Sequence, residues 1–200
     1  MKRIVVATKN PGKIREMTAA FRELPVELVT LASFGRLPDA VEDGETFAAN
    51  AEIKARFYMQ ATGVACLADD SGLEVEALGG APGVYSARFA GYHADDAANN
   101  AKLLNELTRA GRAQSAAAYR CALAFVDTNG RSLLASGSCQ GTVKKEPRGV
   151  GGFGYDPYFY IGENKTMAEL TLQEKDKISH RGNALREMAK LLNVYLSGRN

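Results

Sequence analysis

Histidine is nearly absent: the 200 residues contain His93 and His180 and no other. So small a set does not support a zinc site. Cysteine is almost as scarce. Cys66, Cys121 and Cys139 are scattered, odd in number and lack CxxC spacing, which argues against a disulfide framework. Their natural setting is a reducing cytoplasm, with the thiols as core filler. Net charge is only +2, which leaves no basic footprint for duplex nucleic acid. Long apolar runs are missing too. None approaches the length of a membrane span, and the run that begins at Ile4, behind Met1-Lys2-Arg3, is too short for a signal-peptide core. The expectation is a cytoplasmic protein with no nucleic-acid partner and no membrane partner.

What is present is an ordinary globular composition, 46% hydrophobic and 24% charged, enough for a sizeable core. Without repeats or linkers, residues 1–200 are expected to form a single domain. The basic residues gather around glycine-rich turns, as a small phosphorylated ligand requires.

The chain is organised around Ala68-Asp69-Asp70-Ser71-Gly72-Leu73, directly behind the apolar run Gly63 to Leu67. Two carboxylates at the end of a buried strand are costly unless a cation or hydrogen-bond donors receive them. Ser71 and Gly72 predict a sharp turn that exposes the pair at a strand's carboxyl end, where α/β sheets bind ligands. Carboxylate oxygens suit a hard ion such as Mg²⁺, which usually arrives with substrate phosphates. Asp-Asp-Ser-Gly also populates ordinary turns, so this stretch alone leaves both readings open.

Arg3 to Thr8 reads as a short buried strand, broken by Lys9-Asn10-Pro11-Gly12. Ile14, Met17, Phe21 and Leu24 recur at helical spacing and predict a helix from Lys13 to about Leu24. A lysine at a helix N-terminus opposes the macrodipole. A phosphate held by free backbone N–H groups and the ammonium together would account for it, and so would a plain surface lysine. Val26 to Leu31 predicts a second strand. Acidic Glu42-Asp43-Gly44-Glu45 precedes a helix over Thr46 to Gln60, marked by Phe47, Ala51, Ala55 and Tyr58. Acids at a helix start usually serve as caps, but beside an Asp-Asp pair Glu42 becomes a second metal carboxylate.

Asp95 to Ala110 predicts a helix with Leu103, Leu104 and Leu107 inward and Gly111 as its stop. Ala116 to Asp127 and Ser132 to Val143 read as strands joined by an Asn129-Gly130 hairpin, which makes the sheet mixed rather than all-parallel. The run Lys144 to Pro157 packs glycines around Phe153, Tyr155 and Asp156. Closely spaced glycines permit backbone approach to a ligand, and an aromatic ring beside a carboxylate suits a stacked planar base. Ser179 predicts the N-cap of a last helix, with His180-Arg181-Gly182 in its first turn and Leu185, Met188, Leu191, Leu192 and Tyr195 completing an amphipathic pattern.

Five motifs, TKNPGK, ADDSGL, GGAPGVYSAR, GGFGYDP and EKDKISHRG, occur in this order over nearly the whole chain. Together they resemble the inosine triphosphate pyrophosphatase family. The resemblance implies an α/β fold, an elongated mixed β-sheet flanked by helices in two lobes with the active-site cleft between them. It also implies hydrolysis of ITP, dITP and XTP to the monophosphate and pyrophosphate, with Mg²⁺ as cofactor and a homodimeric assembly. By the same resemblance Asp70 is the general base and a metal ligand, and Ser71 an adjoining substrate contact. Thr8, Lys9, Asn10, Pro11, Gly12 and Lys13 match the phosphate loop. Phe153, Gly154, Tyr155, Asp156, Lys175, His180 and Arg181 match the nucleotide pocket, with Arg181 at the C6 edge of the base. Glu42 matches the second metal ligand, a place that Asp43 or Glu45 could also take.

Two rival readings stay open at this level. A nucleotide-binding module would chelate Mg²⁺ with the same carboxylates and turn nothing over. A haloacid-dehalogenase-type phosphatase also places Asp after a strand, but it expects Asp-x-Asp where this chain has Asp69-Asp70-Ser71.

Overall fold

A computed structural model describes residues 1–91 and 95–198. The fold is α/β, with a six-stranded mixed sheet in the order β2-β1-β3-β4-β5-β6. The strands are β1 (Lys2–Val6), β2 (Val26–Thr30), β3 (Ala65–Val75), β4 (Gln114–Val126), β5 (Ser132–Lys144) and β6 (Phe159–Tyr160). The helices are α1 (Pro11–Ala20), α2 (Phe47–Thr62), α3 (Asp96–Arg109), α4 (Leu172–Ile178) and α5 (His180–Leu196). β1 pairs in parallel with both β2 and β3, whereas β5 and β6 are antiparallel.

The chain divides into two compact units, each discontinuous in sequence. The first contains residues 1–70, 121–137 and 181–198, and the second 71–91, 95–120 and 138–180. The boundary therefore falls inside β3, immediately after Asp70.

In the first unit, β1 and the first half of β3 are apolar on both faces, the pattern of a covered parallel sheet. Ile4, Val6, Ala65 and Leu67 pack with Met17 and Phe21 of α1 and with Leu185, Met188 and Leu192 of α5. Val5, Cys66 and Ala68 point the other way and pack with Ala51, Ala55 and Tyr58 of α2. Alternation along β3 then sends Asp69 toward α1 and α5, and Asp70 toward α2. The β4–β5 turn is the expected hairpin: Gly130 has φ 85°, and the Asp127 carboxylate accepts from the backbone N–H of Asn129 and Arg131. Its other oxygen accepts from the Tyr195 hydroxyl of α5 at 2.8 Å.

In the second unit, Leu73 and Val75 of β3 join Leu103 and Leu107 of α3, Tyr119 of β4, and Tyr155 and Phe159 in one apolar cluster.

Three expectations change. Ser71 and Gly72 do not turn the chain. β3 runs straight through them to Val75, because apolar residues resume at Leu73 and Val75 and are fully buried. The acidic pair is therefore in mid-strand. The first helix starts at Pro11 and ends at Ala20, because Asn10 caps it and Pro11 fits its first turn. α4 went unread as a separate helix. It is a seven-residue turn fixed by a capping box, in which Thr171 and Glu174 bond reciprocally.

Candidate active site

The first unit gathers charge at the middle of β3. Asp69 is 1% exposed, and its Oδ2 lies 2.8 Å from Lys13 Nζ and 3.4 Å from Arg181 Nε. Its Oδ1 has no hydrogen-bond partner among the described residues. Burial alone would raise this carboxyl, but Lys13, Arg181 and Lys54 outweigh it and hold Asp69 well below the usual carboxylate range. The Arg181 guanidinium also pairs with Glu16 at 3.0 Å.

On the opposite face, Asp70 Oδ2 accepts from Asn50 Nδ2 at 3.0 Å. Asn50, fully buried on α2, uses its own Oδ1 to accept from Gly44 N–H at 2.8 Å. A Cβ on Gly44 would meet that oxygen at 2.8 Å, so the close approach of the acidic segment to α2 requires glycine there. Lys54, one turn further along α2, donates to the Asp69 carbonyl at 3.0 Å and pairs with Glu42 at 2.9 Å. Burial lowers the Lys54 ammonium, yet Asp69 and Glu42 raise it further, and it stays charged.

Asp70 behaves differently from its neighbour. Burial is the largest influence and raises its carboxyl; the Asn50 bond and Lys54 lower it, while Glu42 and Asp69 raise it again. The net position is about 6. Two adjacent aspartates are thus driven in opposite directions, the pattern that separates an acid–base group from a fixed charge.

The same geometry tests whether Mg²⁺ suits the site. Lys13, Lys54 and Arg181 stand against Glu16, Glu42, Asp69 and Asp70, so carboxylates outnumber cations. No group of three His, Cys, Asp or Glu side chains among the described residues would hold an ion alone. Mg²⁺ does not need one, since it is usually bound through one or two carboxylates, waters and substrate phosphates. The hard oxygens of Asp70 and Glu42 fit that role. Asp43 and Glu45 are exposed, whereas Glu42 is half-buried and acts on Asp70. Capping of α2 falls to Thr46, whose Oγ1 accepts from Ala49 N–H at 3.1 Å.

The phosphate loop differs in detail from expectation. Asn10 Oδ1 accepts from the N–H groups of Gly12 and Lys13, at 2.8 and 3.2 Å, so those donors are not free. Asn10 N–H donates to Thr8 Oγ1, and Pro11 opens the helix. Lys13 is compensated by Asp69, and Lys9 turns outward to Asp39 at 2.6 Å.

The second unit gathers rings and one ion pair. Asp156, 3% exposed, accepts from Lys175 Nζ at 2.6 Å, Phe153 N–H at 3.0 Å and the Tyr119 hydroxyl at 3.1 Å. The Lys175 ammonium also lies 4.7 Å from the centre of the Phe153 ring. Tyr119 stacks on His180, with centroids 4.7 Å apart and planes 15° from parallel. Phe153 is 38% exposed and can take a stacked base. Tyr155 cannot: it is buried, its hydroxyl donates to the Ser86 carbonyl, and burial pushes its phenol up. Gly154 follows Phe153 in the loop, and Ser71 is half-buried in β3.

The structure thus sorts the expected residues into a charged centre and an aromatic one. Arg181, matched by resemblance to the base edge, has a guanidinium that is 1% exposed and paired with Glu16 and Asp69. A cation held by one buried and one half-buried carboxylate is electrostatically favoured. Sequence reasoning missed Asn50, Lys54 and Tyr119. Asn50 and Lys54 share a face of α2 at i and i+4, one turn apart, a spacing that the sequence does carry.

Comparisons with known proteins bear on this arrangement. The model of the Ham1 family matches residues 4–191. The chain belongs to the Ham1 family. It is 48% identical over 192 residues to a dITP/XTP pyrophosphatase of Desulforamulus reducens, covering 96% of each chain. It is 50% identical over 186 residues to the dITP/XTP pyrophosphatase of Geobacter sulfurreducens, covering 92% of this chain and 94% of that one. Among solved structures, a HAM1 protein from Coxiella burnetii superposes with a TM-score of 0.89 at 42% identity, covering 96% of this chain and 99% of that one. This Ham1 member therefore shares both fold and near-full-length sequence with enzymes of one named activity.

Proposed function

We propose that this Ham1 protein hydrolyses the deaminated purine nucleotides ITP, dITP and XTP to the monophosphate and pyrophosphate. Such an activity keeps aberrant purines out of DNA and RNA. The observation that carries the reading is the setting of Asp70, whose Oδ2 accepts from Asn50 Nδ2 at 3.0 Å in the charged centre with Glu42 and Lys54, and whose carboxyl is raised by burial to about 6. At neutral pH it is ionised yet basic enough to take a proton from water, the property wanted in a general base.

In this reading Asp70 orients a water against the α-phosphorus and accepts its proton as the anhydride to the β-phosphate breaks. Asn50 fixes the carboxylate's angle. Lys13 offsets phosphate charge while keeping its bond to Asp69, and Ser71 is an adjoining contact. Thr8, Lys9, Asn10, Pro11 and Gly12 shape the phosphate loop. Mg²⁺ held by Asp70 and Glu42 would supply Lewis-acid neutralisation of the triphosphate.

Phe153 stacks under the base, and His180, Asp156, Gly154 and Tyr155 frame that pocket. Lys175 shares the role of edge reader with Arg181; both are buried and ion-paired before a base arrives. Both have donors only, so they receive the C6 carbonyl of hypoxanthine or xanthine and meet the C6 amino group of adenine donor-to-donor. A site built this way can reject the wrong edge by about 10⁴-fold. Lys175→Ala should therefore reduce ITP use more than ATP use. A homodimer in the cytoplasm, with residues 1–200 as one domain, completes the proposal. Among the described residues no helix is long and apolar enough to cross a membrane.

A substrate panel with product analysis tests the reading. ITP, dITP and XTP should yield pyrophosphate in the presence of Mg²⁺, and ATP and GTP should be poor substrates. Orthophosphate as the product, or no turnover at any pH, would overturn it.

A further inference from the structure

The loop that carries Phe153 is held from several sides. Within its own motif, Asp156 accepts from Phe153 N–H, and Gly151 N–H donates to the Ala168 carbonyl at 3.1 Å. A further, sequence-distant hold comes from α3. Asp96 Oδ2 accepts from Gly154 N–H at 2.7 Å, and Asn100 Nδ2 donates to the Gly154 carbonyl at 2.9 Å. These two side chains sit at i and i+4, one turn apart on one helix face. They therefore grip both polar groups of a single residue, the one next to Phe153. Gly154 has φ 62°, a left-handed conformation that glycine reaches without strain, so its own backbone preference does not fix the loop and the two side-chain bonds do. Behind the grip lies a cavity of about 580 Å³, lined by Asp96, Asn100, Leu104 and the glycines 149 to 154. With open space there, packing does not replace what the two hydrogen bonds supply.

We propose that Asp96 and Asn100 are positioning residues that set the angle of the Phe153 ring, and with it affinity for the base. The inference rests on the proposed stacking role of Phe153. The pair touches no substrate. It acts through Gly154: Asp96 fixes the peptide on the C-terminal side of Phe153 and Asn100 the next one along, as Asp156 fixes the peptide on the N-terminal side. Orientation secured before binding is affinity gained, because less ordering remains to be done when the base arrives. Asn100 has its Oδ1 buried without a hydrogen-bond partner among the described residues. A side chain that leaves an acceptor unsatisfied to keep its amide on Gly154 is kept there for that contact.

The test uses Asn100→Ala in the full chain. Alanine is the best helix former, so α3 should persist and the variant should fold. Loss of one hydrogen bond to the loop should raise KM for ITP by roughly three- to tenfold and leave kcat within about twofold. Binding of IMP, measured by calorimetry, should weaken by the same factor, whereas binding of pyrophosphate should not change. Asp96→Asn keeps an oxygen acceptor for Gly154 N–H and should behave as wild type, while Asp96→Ala should resemble Asn100→Ala. In a Phe153→Ala background, Asn100→Ala should add no further loss of IMP affinity. Equal weakening of IMP and pyrophosphate, an unchanged KM, or full additivity with Phe153→Ala would overturn the proposal. If Phe153→Ala alone leaves IMP affinity intact, the stacking reading fails instead, and the two failures are told apart.

Discussion

At the scale of single residues, Asp69 and Asp70 are the decisive contrast. They are neighbours in one strand, and alternation gives them opposite faces with opposite electrostatics. Asp69 is surrounded by cations and serves as fixed charge; Asp70 is half-buried, and desolvation raises its carboxyl to about 6. Stability should register this. The native carboxyl binds its proton more tightly than the unfolded one, whose ordinary value is 3.8. Between those values the folded state carries more protons, so rising pH costs stability, and the ionised form costs up to roughly 3 kcal/mol. Asp70→Asn cannot ionise. In urea unfolding with EDTA it should be more stable than wild type above about pH 6, and the gain should vanish toward pH 4. A gain that grew on acidification would contradict the assignment. The same variant should lose turnover by on the order of 10²–10⁴-fold. Arg181→Ala makes a contrasting case. It strips Asp69 and Glu16 of a buried partner and should destabilise by about 3–5 kcal/mol. Its ratio of ITP to ATP rates should narrow, as loss of a base-edge donor requires; an unchanged ratio would confine Arg181 to the charged centre.

At the scale of elements, α2 does most to build the charged centre. Asn50 and Lys54 project from it onto Asp70, the Asp69 carbonyl and Glu42, and Thr46 caps it. Two substitutions separate these roles. Thr46→Ala should lower stability by about 1 kcal/mol and leave the Mg²⁺ titration alone. Glu42→Gln should raise the Mg²⁺ concentration for half-maximal rate; an unchanged titration would remove Glu42 from the metal. Much of this architecture was legible beforehand. Apolar periodicity located α2, α3 and the first strands, and Asn129-Gly130 marked the hairpin, because these signals are local. The failures were of tertiary origin. Ser71-Gly72 resembles a turn, yet burial of Leu73 and Val75 carries β3 through it. The Lys13–Asp69 pair is hidden in the sequence, because only the fold brings Asp69 to 2.8 Å from Lys13. The pairing of Arg181 with Glu16 and Asp69 is hidden for the same reason, since both lie far away in sequence.

At the scale of the whole molecule, the two units divide the chemistry. One holds carboxylates and cations on a parallel part of the sheet, and the other holds a ring, a lysine and a buried aspartate in a glycine-rich frame. The proposed homodimer predicts twice the 21.5 kDa chain mass in sedimentation equilibrium, and a monomer at micromolar concentration would exclude it. The central claim, that water attacks the α-phosphorus and pyrophosphate leaves intact, is reached most directly by isotope labelling. ITP is hydrolysed with Mg²⁺ in water enriched in oxygen-18, and both products are weighed by mass spectrometry. Attack at the α-phosphorus places the heavy oxygen in IMP and leaves pyrophosphate unlabelled. Label in pyrophosphate, or release of labelled orthophosphate, would contradict the account.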